Sequence, residues 1–320
     1  MNDTPSPHTT ECPAPTPEVL DWVRDAAGPG ARLAVRPWRV GVNSTTLDAF
    51  DVVDGGGARH AWMLRRFHDR ARLADDPWYR PESEAAVLRL LEGTGVHAPV
   101  LHAADLDGMR LGAPALLTDR VPGHGDWDEL DPATMVDDLA RELAAIHAVG
   151  GTDGAGGAAA TGLALLPEYR PYYDPAEHGA LKPHPWGDTR LWERVFAVLD
   201  GPVPDVPHTF IHRDYHPDQA LWVDGRLSGI VDWLTGCRGP QAVDLARMRL
   251  NLVQDAGPEV ERAFLAAHRR ITGQDAHHPY WDLVDGTDFM LWSDPPEDGE
   301  DREAWSAFEA WTAHALAELG

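Results

Sequence analysis

The chain has 320 residues, of which 43% are hydrophobic, so it can bury a sizeable core as one large domain or two packed lobes. Its 27 basic and 52 acidic residues give a formal net charge of −25. That sign disfavours nucleic acid and anionic membranes as partners and favours a cationic small molecule, although a purely solubilising role stays open. Only two cysteines, Cys12 and Cys237, are present. With no export signal and no apolar run of about 18 residues, the sequence predicts a cytoplasmic protein without a disulfide framework.

The first third of the chain predicts a small lobe built on a sheet. Residues 1–16 are polar and rich in proline, so we expect a disordered leader. Apolar spacing and turn residues predict helices over 17–27 and 81–93 and strands over 33–40, 46–53, 61–67, 101–104 and 115–121. These elements predict an N-terminal lobe at residues 17–121 with an antiparallel sheet.

The rest of the chain, residues 122–320, predicts a larger and mainly helical C-terminal lobe. Apolar residues at helical spacing predict helices over 132–149, 191–199, 242–253, 259–272, 280–292 and 302–319. Short strands are expected over 209–211, 220–223 and 227–232. The remainder of 158–205, rich in proline and aromatic residues, receives no assignment.

The densest group of ionisable residues lies between the strands predicted over 209–211 and 220–223, in the sequence FIHRDYHPDQALW. The segment GIVDW follows at 229–233. Phosphoryl transfer needs one carboxylate that receives the attacking hydroxyl and further oxygen ligands for Mg²⁺. Asp214, Gln219 and Asp232 supply groups of these types.

In order and spacing, these segments resemble the aminoglycoside phosphotransferase family. The resemblance extends to ESEAAVLRLLEGTGVHAPVL at 82–101, ELAAIHAV at 142–149 and GPQAVDLAR at 239–247, and covers residues 33–255. It implies an α+β, protein-kinase-like two-lobed fold, with a small N-terminal antiparallel sheet lobe and a larger, mainly helical C-terminal lobe. It also implies ATP or GTP as phosphoryl donor, Mg²⁺ as cofactor and a small-molecule hydroxyl as acceptor.

The resemblance assigns catalytic roles within the polar loop and the strand end. Asp214 matches the aspartate that engages the substrate hydroxyl, while His212 and Arg213 brace its loop. Gln219 stands where the family usually has a metal-binding asparagine, and Asp232 matches the second metal ligand. Because glutamine keeps the carbonyl oxygen on one more methylene, metal ligation stays feasible after a small loop shift.

The resemblance also assigns nucleotide contacts to the third strand and the following helix. Arg65 falls where a lysine normally contacts the α and β phosphates, and Glu84 matches the carboxylate that pairs with it. The only lysine of the chain, Lys182, is far from this strand in sequence. If any basic side chain holds the phosphates there it must be an arginine, which binds phosphate well although it is longer than lysine and favours two-pronged contacts.

Two further nucleotide contacts follow from the same resemblance. The turn containing Gly41, Asn43 and Ser44 is expected to cover the phosphates. The segment from Asp119 to Val121 is expected to form the hinge that contacts adenine.

Each assignment has an ordinary structural alternative. Asp214 could cap loop amides, and Asp232 could be a turn residue at a strand end. Arg65 could be a solvated arginine, Glu84 could complement the helix dipole, and the Gly41 turn could be a simple hairpin.

Three functions stay open on the sequence alone. The first is a kinase for a cationic antibiotic, such as an aminoglycoside or a peptide, framed by acidic residues between Asp282 and Asp301; a macrolide, a choline-like amine or a sugar is an alternative acceptor. The second is a catalytically weak or inactive kinase-like protein that binds nucleotide. The third is a metal-dependent hydrolase, suggested by His212, Asp214 and His216 alone.

Overall fold

The described residues of this computed structural model form two compact units, each with its own core. The structure describes residues 14–42, 45–150, 162–173, 179–297 and 299–320. The first unit comprises the chain up to Pro122 together with Gly229–Thr235, and the second comprises Gly123–Ser228 and Gly236–Gly320. Most of the predicted leader, residues 1–13, lies outside the described residues.

The first unit is a five-stranded antiparallel sheet with three helices. Its strand order is β1-β2-β3-β5-β4. The elements are α1 (Pro17–Ala27), β1 (Arg32–Val42), β2 (Thr45–Val53), β3 (Arg59–Phe67), α2 (Arg70–Asp75), α3 (Pro81–Leu91), β4 (Leu101–Asp105) and β5 (Ala115–Asp119).

Strand β3 divides its side chains between two apolar clusters because successive residues of a strand face opposite sides. Trp62 and Leu64 pack in the cluster that holds the buried face of α1. Phe67 packs in a second cluster with Ala85 of α3. Arg65, two residues from Phe67, shares its side of the strand, so the sheet directs this arginine towards α3.

The second unit is mainly helical, with short strands around the polar loop. Its elements are α4 (Pro132–His147), α5 (Thr189–Leu199), β6 (His208–Ile211), β7 (Ala220–Val223), β8 (Arg226–Ile230), β9 (Cys237–Pro240), α6 (Gln241–Asp255), α7 (Pro258–Thr272), α8 (Pro279–Trp292) and α9 (Gly299–Glu318). Strand β6 pairs antiparallel with β9, and β7 pairs with β8. One core cluster of this unit joins α5, α6, α8 and α9.

The segment Gly229–Thr235, which begins inside β8, belongs to the first unit. Ile230 N–H donates to the His97 carbonyl oxygen at 2.8 Å. Leu234 is buried in the cluster of Phe67 and α3. Gly229 has no room for a side chain, since a Cβ there would lie 2.8 Å from Val121 Cγ1 and 2.9 Å from the His97 oxygen. The segment is thus tied to the first unit along its length.

Every strand and helix expected from the sequence is present, with ends that shift by up to three residues. The short helix α2 and strand β9 were not expected. Strand β1 continues to Val42, further than predicted, because its pairing with β2 runs on to Thr45. Strand β8 ends at Ile230, two residues early, since Asp232 takes a left-handed backbone conformation.

Two predictions made from composition concern membrane-spanning helices and the two cysteines. None of the described helices is both long and apolar enough to span a membrane. Cys237 is buried and carries a free thiol, while Cys12 lies outside the described residues.

Candidate active site

Asp214 lies on the loop that follows β6, next to a residue with an unusual backbone. Arg213 has φ of +72°, a left-handed conformation that a long side chain adopts only under constraint. The first constraint is the buried Asp244, in the first turn of α6. Its carboxylate accepts from the backbone N–H of His212 at 3.0 Å and of Arg213 at 2.7 Å. His147 Nε2 lies 2.9 Å from the same carboxylate.

Side chains on either side of Asp214 hold the loop as well. Arg213 Nη2 donates to the Arg170 carbonyl oxygen at 2.9 Å, and its guanidinium lies 3.7 Å from the ring centre of Tyr172. The buried Tyr215 hydroxyl donates to the Leu139 carbonyl oxygen at 2.8 Å. The backbone around Asp214 is therefore fixed by contacts from three directions.

The Asp214 carboxylate itself is partly open to solvent, with 30% of its side chain exposed. Gln219 Nε2 lies 3.5 Å from Oδ2, His216 Nε2 3.8 Å from Oδ2, and Arg247 Nε 3.5 Å from Oδ1. Burial raises the pKa of Asp214, but the neighbouring His216 and the charges of Arg247 and His212 outweigh it and lower the pKa well below its usual value. This carboxylate is ionised at neutral pH.

Gln219 ends the short 3₁₀ turn Pro217–Gln219, five residues after Asp214. Its Nε2 lies 3.1 Å from His216 Nε2. The same amide carries a carbonyl oxygen, which is the donor type that Mg²⁺ prefers.

In the first unit, one nitrogen of Arg65 joins two carboxylates. Arg65 Nη1 lies 3.2 Å from Glu84 Oε1, 3.3 Å from Glu84 Oε2 and 2.7 Å from Asp232 Oδ1. Burial raises the pKa of Glu84, with Asp232 adding to the rise and Arg65 opposing it. Burial alone would lower the pKa of Arg65, but the charges of Glu84 and Asp232 raise it above its ordinary value. Arg65 Nε is buried, and no hydrogen-bond partner for it occurs among the described residues.

Asp232 follows the end of β8 with φ of +61°, a conformation that aspartate tolerates better than most residues. Its side chain is 40% exposed. Arg65 contacts only Oδ1 of its two carboxylate oxygens. A carboxylate so placed fits a metal ion that keeps several water or phosphate ligands, as Mg²⁺ does.

The remaining predicted nucleotide contacts are only partly described. Gly41 lies in β1, paired with Thr46, while Asn43 and Ser44 lie outside the described residues. Asp119 ends β5, and its Oδ1 lies 2.7 Å from His102 Nε2. The assignment of this residue and of Val121 to an adenine hinge stays a prediction.

Comparison with known proteins decides the family. The sequence model of the phosphotransferase enzyme family, APH, matches residues 48–280, more than half of the chain. The chain belongs to this phosphotransferase family. The predicted family is thereby confirmed.

Two solved structures show the same fold as this phosphotransferase. Macrolide 2'-phosphotransferase MphH from Brachybacterium faecium is 23% identical, with a TM-score of 0.55 over 90% of this chain and 98% of its own. A thermostable variant of aminoglycoside phosphotransferase APH(4)-Ia, in complex with ADP and hygromycin B, is 12% identical, with a TM-score of 0.56 over 94% and 98%. The predicted α+β, kinase-like fold is confirmed.

A curated relative in sequence is the homoserine kinase of Gluconobacter oxydans, 28% identical over 208 residues. The match covers 58% of this phosphotransferase and 57% of the relative. The chain thus spans little more than half the length of the curated relative that it matches.

The acidic residues of α8 do not form the acidic surface for a cationic acceptor that the sequence suggests. Asp282 is fully buried, with Oδ2 2.5 Å from Arg249 Nη1 and 2.7 Å from His277 Nε2. Asp285 Oδ1 lies 3.1 Å from Arg247 Nη2. Asp288 accepts from two backbone N–H groups at 3.1 and 3.0 Å. These three carboxylates have their polar partners inside the second unit.

Two residues of α6, Asp244 and Arg247, contact the loop of Asp214 although the resemblance assigns neither of them a role. The sequence does indicate buried charges here, since VDLARMRL places an acid and two arginines among apolar residues of one helix. Charged side chains inside an apolar helix must find partners, so buried ion pairs were to be expected there.

The hydrolase alternative finds no support in this geometry. His212, one of its three suggested ligands, is fully buried. Among the residues that the structure describes, no group of three or more His, Cys, Asp or Glu side chains is arranged to hold a metal ion.

Proposed function

We propose that this protein is a small-molecule kinase that transfers the γ-phosphate of ATP or GTP to a hydroxyl group of its acceptor. The observation that carries the proposal is Asp214: an ionised, partly exposed carboxylate on a loop whose backbone is fixed by Asp244. In phosphoryl transfer the protein mainly positions the reactants and stabilises charge. A rigidly held carboxylate can orient the acceptor hydroxyl and receive its proton as the bond to phosphorus forms.

Arg65 is the proposed nucleotide contact of the first unit. Glu84 and Asp232 hold its Nη1, and the buried Nε has no partner among the described residues. A guanidinium fixed in this way can bind a phosphate oxygen with little further loss of side-chain freedom.

Asp232 and Gln219 are the proposed Mg²⁺ ligands. Each offers an oxygen donor: the Asp232 carboxylate is 40% exposed, and the Gln219 amide carries its oxygen opposite the Nε2 that lies 3.1 Å from His216. Mg²⁺ bound with the nucleotide supplies neutralisation of phosphate charge during transfer.

Two classes of acceptor merit a direct comparison: antibiotics and small amino alcohols. The solved structures of like fold are named for macrolides and aminoglycosides, and one holds hygromycin B. The curated relative is named for homoserine, a small amino alcohol. Because Asp282, Asp285 and Asp288 are used internally, α8 gives no support for a cationic acceptor over a zwitterionic one.

The test is Mg²⁺-dependent transfer of labelled phosphate from ATP and from GTP to L-homoserine, hygromycin B, other aminoglycosides, a macrolide, a peptide antibiotic and choline. Asp214→Ala should abolish transfer to whichever acceptor is used. Asp224→Asn is the matched control, because Asp224 is exposed and left-handed in the turn between β7 and β8. Nucleotide binding without transfer to any acceptor, unaffected by Asp214→Ala, would favour the inactive kinase-like alternative.

A further inference from the structure

Arg247, on α6, lies between two carboxylates of the second unit. Its Nε is 3.5 Å from Asp214 Oδ1, and its Nη2 is 3.1 Å from Asp285 Oδ1. The Arg247 side chain is 15% exposed and that of Asp285 is 8% exposed, whereas Asp214 is 30% exposed. The guanidinium therefore approaches the proposed catalytic carboxylate from its buried side and leaves the other side open.

The same stretch of α6 contacts both the backbone and the Asp214 side chain of the loop that follows β6, residues 212–219, which we call the catalytic loop. Asp244 and Arg247 are three residues apart, so they lie on one face of the helix. Asp244 accepts the N–H groups of His212 and Arg213, which fixes the course of the backbone. Backbone contacts leave the torsion angles of the Asp214 side chain undetermined, and the Arg247 guanidinium lies beside Oδ1 of that carboxylate, whereas His216 lies beside Oδ2.

Arg249, two residues further along, shows what a purely structural arginine of α6 looks like. It contacts Glu261, Asp282 and His277, and all of these partners are buried or nearly so. None of them lies on the catalytic loop. Arg247 differs because one of its two carboxylate partners is the partly exposed Asp214.

Asp285 is linked to the catalytic loop through Arg247, which contacts Asp285 at one end and Asp214 at the other. Its Oδ1 contacts Arg247, and its Oδ2 is buried without a hydrogen-bond partner among the described residues. Such a carboxylate is costly to bury unless it serves a charge partner. It fixes the far end of the guanidinium, so that Nε keeps its direction towards Asp214.

We propose that Arg247 is a positioning residue for the transfer reaction, which orients the Asp214 carboxylate, and that Asp285 in turn orients Arg247. This inference rests on the proposed function, since it assigns Asp214 to the acceptor hydroxyl. Arg247 itself touches neither substrate. Its removal should lower the rate of the chemical step and leave substrate binding largely intact.

The test compares Arg247→Met, which removes the charge, with Arg247→Lys, which keeps it. The assay uses Mg·ATP with the acceptor found in the panel above and, in parallel, with water as acceptor, and rates are normalised to folded protein. For Arg247→Met we expect kcat to fall on the order of 10-fold to 100-fold, with KM for ATP changed less than about threefold. Arg247→Lys should recover part of that loss, because its ammonium can still neutralise Asp214.

Arg249→Lys is the matched control on the same helix. It should lower Tm and leave kcat within about twofold, as expected for a variant of purely structural effect. An equal loss of kcat in Arg249→Lys and Arg247→Met, or an unchanged kcat in Arg247→Met, would overturn the positioning role.

A pair of substitutions tests the second carboxylate. Asp285→Asn keeps an oxygen that can accept from Arg247 Nη2, and it should keep kcat within about threefold; Asp285→Ala removes the contact and should lower kcat about tenfold. Equal kcat values for the two variants would remove Asp285 from the mechanism.

A crystal structure of Arg247→Met gives a readout that needs no acceptor. We expect the Asp214 side chain to leave its present orientation while the backbone at Arg213 stays fixed by Asp244. An unmoved Asp214 would refute the inference. Asp214→Ala separates this inference from the proposed function: if that variant retains transfer, the role proposed for Asp214 is wrong, whereas its loss together with an unaffected Arg247→Met refutes only the positioning role.

Discussion

Arg65 Nη1 and Asp232 Oδ1 are 2.7 Å apart, although 167 positions separate the two residues in the chain. The same nitrogen also lies between the two oxygens of Glu84. One side chain on β3 thus links helix α3 to the segment after β8. The family usually has a lysine here, and a single nitrogen that serves three carboxylate oxygens is an arrangement that an ammonium can reproduce.

Arg65→Lys should therefore keep transfer activity within about tenfold of the wild type, because an ammonium in the place of Nη1 has three N–H donors to share between Glu84, Asp232 and a phosphate oxygen. Arg65→Met should lower kcat/KM for the nucleotide by about 100-fold, since it removes a charged contact to phosphate. Steady-state kinetics with ATP as the varied substrate measures both. Equal activity of the lysine and methionine variants would show that Arg65 does not contact the nucleotide.

Arg65→Met has a second effect that must be separated from the first. It leaves the buried Glu84 without its cation, which should lower the free energy of unfolding by about 3–5 kcal/mol. Adding Glu84→Gln removes the uncompensated charge and should restore much of that stability. The double variant should still lack activity, and recovery of activity along with stability would assign Arg65 a structural role only.

Asp244 is expected to be among the most sensitive positions for stability. Its buried carboxylate serves the N–H groups of His212 and Arg213 and the ring of His147. Asp244→Ala leaves these donors buried without an acceptor, so the free energy of unfolding should fall by about 3–5 kcal/mol in urea titrations. Asp255→Ala, at the exposed end of the same helix, is the control and should change it by less than about 1 kcal/mol. A change at Asp244 no larger than at Asp255 would contradict the bracing role.

The elements of the fold could be predicted from the sequence because their signals are local. Helix α3 begins with Pro81 and ends near Gly93, whose φ is +73°, as the start and stop residues indicate. Strand β9 was missed because CRGP has no apolar alternation, and it is a strand only through its pairing with β6. Such pairing depends on residues about 30 positions away, which local patterns do not record.

The candidate site was only partly predictable, for a related reason. Resemblance identified Asp214, Arg65 and Glu84, and the structure brings the last two together in one unit. It did not reveal that Arg247 contacts Asp214, because that contact depends on which face of α6 meets the loop. The burial of the α8 aspartates was not predictable either, since a count of charges carries no information on burial.

The titration of Asp285 makes stability depend on pH near neutrality. Burial raises the pKa of Asp285 to about 7, with Asp288, Asp214 and Asp282 adding to the rise and Arg247 opposing it. In the unfolded chain the same carboxyl ionises near its ordinary value of 3.8. Between these values the folded protein binds more protons than the unfolded chain, so this group stabilises the fold fully below pH 4 and loses its contribution as the pH rises through 7.

Asp285→Asn stays neutral at every pH and isolates this effect. Relative to that variant, the wild type should lose on the order of 1–4 kcal/mol of unfolding free energy between pH 5 and pH 8. Urea titrations of both proteins at pH 5, 6, 7 and 8 give the difference directly. Asp282→Asn is the control for this measurement, because Asp282 lies on the same helix but contacts Arg249 instead of Arg247. A difference between the wild type and Asp285→Asn that stays constant over this range would mean that Asp285 is ionised throughout, and that Arg247 carries two full negative partners at every pH at which the enzyme works.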